Sequence, residues 1–448
     1  MKTSMYTFRL NLLMLGFACL LLVGCDPLEF DDPNAPSADA LSLQNLATGT
    51  EGSMRSEIEI YLQTTSIFGR EAYYFEPADP RYTGELYTGP LDGNGFLVVD
   101  PWSSRYRTVK NALDLIDRAR SVREETPSQF SEEDLSASIG FGQTIIGYQL
   151  LLVLTSTWDN GLKIEFSDDV NTPIVSRSEA FTEINRYLDD GYANLQAGGD
   201  FPFQLSSGFG DVDFAAFNRA IRARAAAYQE DYDTVLDALD DSFLLADESE
   251  LDLGAYHLFG TGTGERVNPL FEVPTSSTVK LRAHPSLEAD AVAGDERFST
   301  KVLDRTDDED FVASPSAANG LSSKLAVAIW DGSTSPISII RNEELLLLRA
   351  EARILGPNQD LDAAVDDLNI VREAAGLGPY TGSVTESDVF DEMVYNRRYS
   401  LFLEGHRWVD ARRFGLLNTL PVDAVGDPPS PAQIFSQVPI PLDEIPEN

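Results

Sequence analysis

The segment of residues 395–415, YNRRYSLFLEGHRWVDARRFG, concentrates five arginines and no lysine in a strongly acidic chain. Apolar residues three and four positions apart predict a helix that stops near Gly405, and residues 406–414 predict a second short helix. Guanidinium groups pair with carboxylates such as Glu404 and Asp410 and stack on aromatic rings. The segment therefore predicts a buried ion-pair junction between C-terminal helices. An anion or phosphate site is the alternative interpretation.

The end of this segment resembles a known family. LFLEGHRWVDARRFG (residues 401–415) is similar to the C-terminal signature of the SusD/RagB family of outer-membrane nutrient-binding lipoproteins. The chain closes on FSQVPIPLDEIPEN, and IIRNEELLLLRAEARILG (residues 339–356) resembles the family's arginine-led helix. The resemblance covers the last quarter of the chain well and the middle only loosely. The residues to which it assigns a structural role are Arg341, Glu351, Arg398, Glu404, Arg407, Trp408, Asp410 and Arg413.

Helical periodicity recurs along most of the chain, which at 448 residues is long enough for about three domains or one large helical domain. The predicted helices are residues 40–65, 102–122, 135–154, 181–195, 214–228, 231–240, 340–355, 361–374 and 387–403. Pairs of this size resemble tetratricopeptide repeats, with which the family builds its scaffold. Residues 68–101 and 243–337 are irregular, with glycine, proline and short β-like runs such as residues 278–281 and 325–330. We predict a mainly α, SusD-like fold in which a tetratricopeptide-like helical-repeat scaffold carries an irregular, loop-rich, minor-β half. Residues 39–448 are predicted to form a single domain.

The first 24 residues have the pattern of a lipoprotein signal peptide. A basic start precedes an apolar run over residues 10–23, which is too short to span a bilayer comfortably. The run ends in Leu-Val-Gly-Cys, which fits the bacterial lipobox and predicts lipidation of Cys25. Residues 25–38 are acidic and rich in proline, and they predict an extended tether. Because Cys19 lies inside the signal peptide, the mature chain has no cysteine pair for a disulfide.

The charge balance excludes whole classes of partner. The chain has 33 basic and 73 acidic residues, a formal charge of −40. Removal of residues 1–24 takes two basic residues with it and leaves 31 − 73 = −42. Such a field repels nucleic acid and anionic lipid headgroups. Lysine-poor acidic surfaces suit a high-salt environment, and ordinary acidic drift is the alternative explanation.

The sequence contains little that would support catalysis. HExxH, GxSxG, Walker and GxGxxG patterns are missing from it, and its three histidines are His257, His284 and His406. We predict no metal site, no cofactor and no catalytic residue. The acidic run of residues 304–310 lacks the glycine and spacing of an EF-hand, so a solvated loop is the simpler interpretation than a calcium site.

Aromatic residues on loops are the better candidates for ligand binding. Saccharide rings stack on tyrosine and tryptophan, while their hydroxyls need polar partners. Residues 73–87 combine tyrosines with proline, glycine and mixed charge, and a turn at residues 92–95 predicts a hairpin. We expect exposed rings there, with help from the second irregular region. The predicted ligand-binding residues are Tyr73, Tyr74, Arg81, Tyr82, Tyr87 and Trp330.

Together these features predict a non-enzymatic lipoprotein anchored in the outer membrane and facing the exterior. The resemblance implies that it captures an oligosaccharide or peptide and passes it to a SusC-like TonB-dependent outer-membrane transporter. A lipid-anchored glycoside hydrolase and a helical-repeat scaffold without a ligand are the alternatives. The sequence does not identify the ligand, because shallow aromatic sites accept many sugars.

Overall fold

Helices dominate the architecture. A computed structural model describes residues 41–125, 129–166, 171–306 and 317–446. Residues Leu43–Asn448 form one compact unit. The helices in the described residues are α1 Leu43–Ser53, α2 Ile58–Phe68, α3 Glu85–Thr88, α4 Phe96–Glu125, α5 Glu132–Thr157, α6 Arg177–Gln196, α7 Phe214–Ala227, α8 Tyr232–Asp240, α9 Pro285–Ala289, α10 Glu296–Lys301, α11 Asn342–Leu355, α12 Leu361–Ala374, α13 Glu386–Ser400 and α14 Arg407–Arg413. The predicted mainly α fold is confirmed. The predicted signal peptide, Cys25, the tether and most of the acidic run of residues 304–310 lie outside the described residues.

Helix α5 is the central helix of the scaffold. Ser131 and Asp134 form a capping box at its start, which satisfies backbone N–H groups that have no partner within the helix. Its residues are buried almost throughout, and it packs between α4 and α6. Among the described helices it alone, extended to Asn160, is long and apolar enough to cross a membrane, but this apolar stretch is fully buried inside the protein. Its composition is thus that of a core helix.

Further helix pairs extend this core. Helix α7 packs on α6 and α8, and α11 packs on α12 and α13. The two groups are joined at Arg224 of α7, whose Nε and Nη2 donate to the Glu344 carboxylate of α11 at 2.6 and 2.5 Å. Both side chains are buried, so each charge depends on the other for the solvation that water no longer supplies.

Short antiparallel strands connect the two irregular regions. The strands in the described residues are β1 Ala72–Tyr74, β2 Gly254–His257, β3 Leu281–Ala283, β4 Val302–Asp304, β5 Ala317–Ala318, β6 Leu321–Ser322, β7 Leu325–Val327, β8 Ile337–Arg341, β9 Ala424–Val425 and β10 Ser430–Pro431. One sheet has the order β1-β3-β7-β4, while β2 pairs with β8, β5 with β6 and β9 with β10. The pairing of Ala72 with Ala283 places the first irregular region against the second.

Two local predictions are wrong. The single helix predicted over residues 40–65 is two helices, because the chain turns at residues 54–57 and Glu57 adopts a left-handed backbone with φ of 53°. The predicted hairpin at residues 92–95 is instead the turn that begins α4. The Asp92 carbonyl accepts a hydrogen bond from Gly95 N at 2.8 Å, and helix follows directly.

Candidate ligand-binding site

The predicted tyrosine loops belong to the hydrophobic core. Tyr73, Tyr82 and Tyr87 are buried in a cluster that also contains Phe75 and Trp408. The expectation of exposed rings there is therefore wrong. The physical reason is long-range pairing, since Tyr73 lies in β1, which is hydrogen-bonded to β3 some 210 positions further along the chain.

The prolines and glycines of this region cap helices and leave the rings covered. Pro80 opens a 3₁₀ turn whose N-cap is Asp79, and Gly84 precedes α3. Proline at the first helical position and a carboxylate at the cap are both favourable. Composition alone does not distinguish such a capped, buried segment from an exposed binding loop.

Tyr74 and Arg81 are only partly buried, but their faces are occupied by neighbours. The Tyr74 ring meets Tyr82 edge-on at 4.8 Å between centroids. Arg81 binds both carboxylate oxygens of Asp79, and its guanidinium lies 4.3 Å from the Phe96 ring centroid. A role for Tyr74 or Arg81 in ligand binding stays a prediction.

Trp330 lines an open cavity of about 530 Å³, which is the candidate site. The cavity lies where the β2–β8 ladder, the start of α11, the end of α12 and the loop after α13 come together. Among the predicted ligand residues Trp330 alone belongs to its lining. Its lining residues with polar or aromatic side chains are Glu248, Ser249, Asp252, Tyr256, Arg297, Lys301, Trp330, Asp331, Ser335, Ser338, Arg341, Glu343, Phe402 and Glu404.

The loop that carries Trp330 is held by a buried amide. Asn268 N donates to the Ser333 carbonyl at 2.7 Å, and Asn268 Nδ2 donates to the Ser335 carbonyl at 2.9 Å. Within the loop, Gly332 N donates to Ser335 Oγ at 3.0 Å. These bonds fix the backbone next to Trp330, so this wall of the cavity is pre-organised.

An arginine-centred ion-pair network forms the cavity floor. Arg341 Nη2 donates to the Glu404 carboxylate at 2.9 Å and to the Ser400 carbonyl at 2.7 Å, and Arg341 also pairs with Glu343. Burial raises the pKa of Glu343, but Arg341 and Lys301 outweigh it and lower that pKa to about 2. Glu343 is thus an anion at neutral pH.

Lys301 is the last residue of α10, and its ammonium lies against the C-terminal end of α13. Its Nζ donates to the Tyr399 and Ser400 carbonyls at 2.7 and 2.6 Å. Carbonyls at a helix C-terminus attract cations. Desolvation is the largest influence on this ammonium and lowers its pKa to about 8. Lys301 therefore stabilises the turn that follows α13, and that turn forms part of the cavity wall.

The two carboxylates of the cavity floor do not suit the role of general acid in glycoside hydrolysis. A glycosidase needs a carboxylic acid whose pKa is raised so that it can protonate the leaving group. In this cavity Glu343 has the opposite shift, and Glu404 is engaged by Arg341. The aromatic lining next to these fixed charges includes Tyr256, which is half-buried, and Trp330, of which 9% remains exposed.

The residues of the C-terminal signature mostly form the predicted junction between helices. Asp410 accepts from Arg397 Nε at 2.8 Å and from Arg413 Nε at 2.9 Å. Arg413 also donates to Glu351 at 2.6 Å, and Trp408 Nε1 donates to the Phe435 carbonyl at 2.8 Å. Both guanidinium groups are paired with carboxylates inside the protein, although Arg397 Nη1 makes no hydrogen bond, and this pairing disfavours the alternative of an anion site.

Two signature arginines lie towards the edge of this junction. Arg398 donates to Asp290 at 2.7 Å and to Ser286 Oγ at 2.9 Å. Arg407 is half-buried, and desolvation together with Arg398 lowers its pKa to about 10 although Glu71 raises it. Arg341 and Glu404, also in the signature, face the cavity instead, so the signature connects the scaffold to the candidate site.

Most cavity residues carried no local signal in the sequence. Arg297 and Lys301 belong to the short helix α10, and Tyr256 belongs to β2, which the sequence did not predict. Glu343 had not been singled out but could have been found from the sequence, since it follows Arg341 by two positions in the arginine-led segment. The cavity gathers residues from positions 248 to 404, and only the tertiary fold brings them together.

Comparisons with known proteins agree with this architecture. A model of the SusD family matches residues 326–444, which include the cavity floor and the junction. Over this C-terminal part the chain is similar to the SusD family. No curated protein sequence matches it.

Solved structures extend the likeness over most of the chain. A laminarin-binding SusD-like protein superposes with a TM-score of 0.65 at 16% identity, over 90% of this chain and 96% of that one. Surface glycan-binding protein A from Bacteroides thetaiotaomicron gives a TM-score of 0.69 at 14% identity, over 90% and 96%. A SusD superfamily protein from Bacteroides vulgatus gives 0.66 at 16% identity, over 85% and 89%. At such low identity these superpositions establish the shared fold.

Proposed function

We propose that this SusD-like protein captures oligosaccharides in the cavity lined by Trp330 and does not alter them chemically. The observation that supports this most directly is the cavity itself, whose volume of about 530 Å³ lies in the usual range of about 300–1,000 Å³ for small-ligand sites. Aromatic side chains line it beside fixed polar groups, the combination that sugar rings and their hydroxyls require. The names of two structural relatives, laminarin-binding and surface glycan-binding, point to the same ligand class.

The ligand passes onward, in this proposal, to a SusC-like TonB-dependent outer-membrane transporter. This step rests on the similarity to the SusD family and on the sequence of the N-terminus. Lipid on Cys25 anchors the protein in the outer membrane, with the cavity facing the exterior. In cells that lack the transporter, Cys25→Ala should move the protein to the soluble fraction, and continued membrane association would contradict the anchor.

Binding is tested by titrating the purified protein with a panel of oligosaccharides, laminarin included. Trp330→Ala should weaken the binding of any glycan that binds by about tenfold, or about 1.4 kcal/mol, because the exposed part of the ring is lost from the cavity wall. Since Trp330 is only 9% exposed, a thermal melt first establishes that the variant is folded at the temperature of the titration. Tyr192→Ala controls for the loss of an aromatic ring outside the cavity lining, since Tyr192 is a partly exposed residue of α6.

The outcomes separate the candidate functions. Saturable binding that Trp330→Ala weakens and Tyr192→Ala does not supports the proposal. Equal affinity of Trp330→Ala and the wild type would place the site elsewhere. Chromatography of the same mixtures after long incubation should show the glycan intact, and shorter products would favour the hydrolase. A protein that binds no glycan of the panel would favour the scaffold.

A further inference from the structure

The cations that line the cavity are bound by other groups of the protein, whereas several of its carboxylates are exposed. This difference affects which ligands the cavity can bind. Three cations line it, Arg297, Lys301 and Arg341, and all three are engaged by the protein. Arg297 binds both carboxylate oxygens of Asp295 and also donates from Nη1 to Ser400 Oγ at 2.9 Å. Lys301 donates to helix carbonyls, and Arg341 binds Glu343 and Glu404, as described above.

The acidic residues of the cavity wall, in contrast, are exposed to solvent. Glu248, Asp252 and Asp331 are exposed and line the same cavity. Asp252 has 95% of its side chain accessible, and it pairs with Arg341 across 3.7 Å. Among the described residues, Glu248 and Asp331 have no ion-pair partner. Three carboxylates therefore meet an incoming ligand, while the guanidinium and ammonium groups are already occupied.

We propose that this cavity selects uncharged glycans and rejects glycans that carry carboxylate or sulfate groups. The inference rests on the proposed glycan-binding function. An anionic sugar brings its charge close to three carboxylates in a chain of net charge −40, and it finds no unengaged cation in the cavity lining described above. Breaking Arg341 away from its partners to bind it would leave buried carboxylates uncompensated.

An uncharged sugar meets the same groups favourably. Its hydroxyls donate hydrogen bonds to Glu248, Asp252 or Asp331, and such charge-assisted bonds are stronger than neutral ones. Its apolar ring faces pack on Trp330 and Tyr256. The residues that repel an anion are thus also acceptors for a neutral saccharide, and electrostatic complementarity supplies the selectivity.

The test uses ligand pairs that share a backbone and differ in whether their substituents are charged, and the salt dependence separates charge from the added or lost bulk. Laminarin is compared with sulfated laminarin, and methyl-esterified homogalacturonan oligomers are compared with the same oligomers after de-esterification. At low salt, about 20 mM, any pair whose neutral member binds should show the anionic member at least about tenfold weaker. Added salt should narrow this gap, while the neutral affinity stays nearly constant.

A triple variant identifies the residues responsible. Glu248→Gln, Asp252→Asn and Asp331→Asn together should bring the anionic ligand to within about threefold of the neutral one. The control triple Asp233→Asn, Asp237→Asn and Asp240→Asn lies on α8 outside the cavity lining and changes the net charge equally. It should leave the gap unchanged. A gap that closes equally in both triples would assign the selectivity to net charge and overturn a local role for the wall carboxylates.

Loss of the charge selectivity and absence of glycan binding give different results in this experiment. Equal affinity for both members of each pair would overturn the charge selectivity while glycan binding stands. Tighter binding of the anionic members would do the same, and it would indicate that the floor arginine is available to ligand. If neither member of any pair binds, the proposed function itself is wrong.

Discussion

Two buried carboxylates near the C-terminal arginines differ in their pKa shifts, and their partners explain the difference. Burial raises the pKa of Asp410, but Arg397 and Arg413 outweigh it and hold that pKa well below its usual range. For Glu71 burial dominates over the attraction of Arg407, and its pKa is raised from 4.5 to about 8. Close ion pairs with arginine thus decide whether a buried carboxyl group is charged at neutral pH.

Glu71→Gln should stabilise the protein at pH 8 and change its stability little at pH 4. In the folded state Glu71 keeps its proton up to about pH 8, whereas in the unfolded chain it loses the proton near pH 4.5. The stability that depends on this proton is complete below about pH 4.5 and is lost as the pH rises through about 8. Glutamine keeps an acceptor for Leu403 N and has no proton to lose. Thermal melts from pH 4 to 8 measure the effect.

Glu343→Gln is the matched control for that series, since Glu343 is also buried but has its pKa lowered to about 2. Its contribution is complete above about pH 4.5 and is lost as the pH falls towards 2, so this variant should be destabilised at neutral pH and approach the wild type in acid. If Glu71→Gln lowered the melting temperature at pH 8, the carboxylate of Glu71 would have to be charged and well paired.

At the level of elements, close approach of α6 to α5 depends on glycines, of which Gly140 is the most crowded by backbone atoms. A Cβ at Gly140 would lie 2.8 Å from the Gly191 carbonyl oxygen and 2.7 Å from Leu195 Cγ. A backbone oxygen at that distance has to move, and overpacking of this kind costs about 1–3 kcal/mol. The two helices make the most extensive contact between elements in the described scaffold. A shift at this point would therefore spread along both of them.

Gly140→Ala should therefore destabilise the protein, although alanine favours helix over glycine by about 1 kcal/mol. The net loss expected in a denaturant melt is up to about 2 kcal/mol, after the propensity gain is subtracted from the overpacking cost. Gly49→Ala is the control, because Gly49 is helical in α1 and a Cβ there would meet nothing within 4 Å. It should stabilise by up to about 1 kcal/mol. Equal effects of the two variants would mean that the α5–α6 contact yields without cost.

Helices were the predictable elements, because their apolar periodicity is local. Helix α12 has the predicted bounds, Leu361–Ala374, and the long helices differ from their predicted ranges mainly at the ends. Strand β8 was missed because its residues 337–341 pair with β2 more than 80 positions away. Such short strands are stabilised by partners that periodicity does not reveal. The expected exposure of Tyr73, Tyr82 and Tyr87 was wrong for the same reason, since long-range contacts decide their burial.

The whole molecule has buried ion-pair networks and a large net negative charge. Its ion-pair networks, such as Asp410 with Arg397 and Arg413, are buried and little affected by salt. The net negative charge comes from 73 acidic against 33 basic residues. Like charges at the surface repel one another more strongly in the folded state than in the expanded chain. Stability should therefore depend on ionic strength through the surface alone.

Added NaCl should raise the melting temperature, with most of the gain below about 0.3 M. Screening is set by the Debye length, which falls from about 30 Å at 0.01 M to about 10 Å at 0.1 M and about 3 Å at 1 M. Repulsion between surface carboxylates is therefore largely removed early in the titration, and a screening effect levels off. Melts from 0.01 to 1 M at pH 7, repeated with KCl, distinguish this from a specific ion effect. A melting temperature that is flat over the range would show that self-repulsion contributes little. A rise that continues linearly to 1 M would point instead to exclusion of salt from the protein surface.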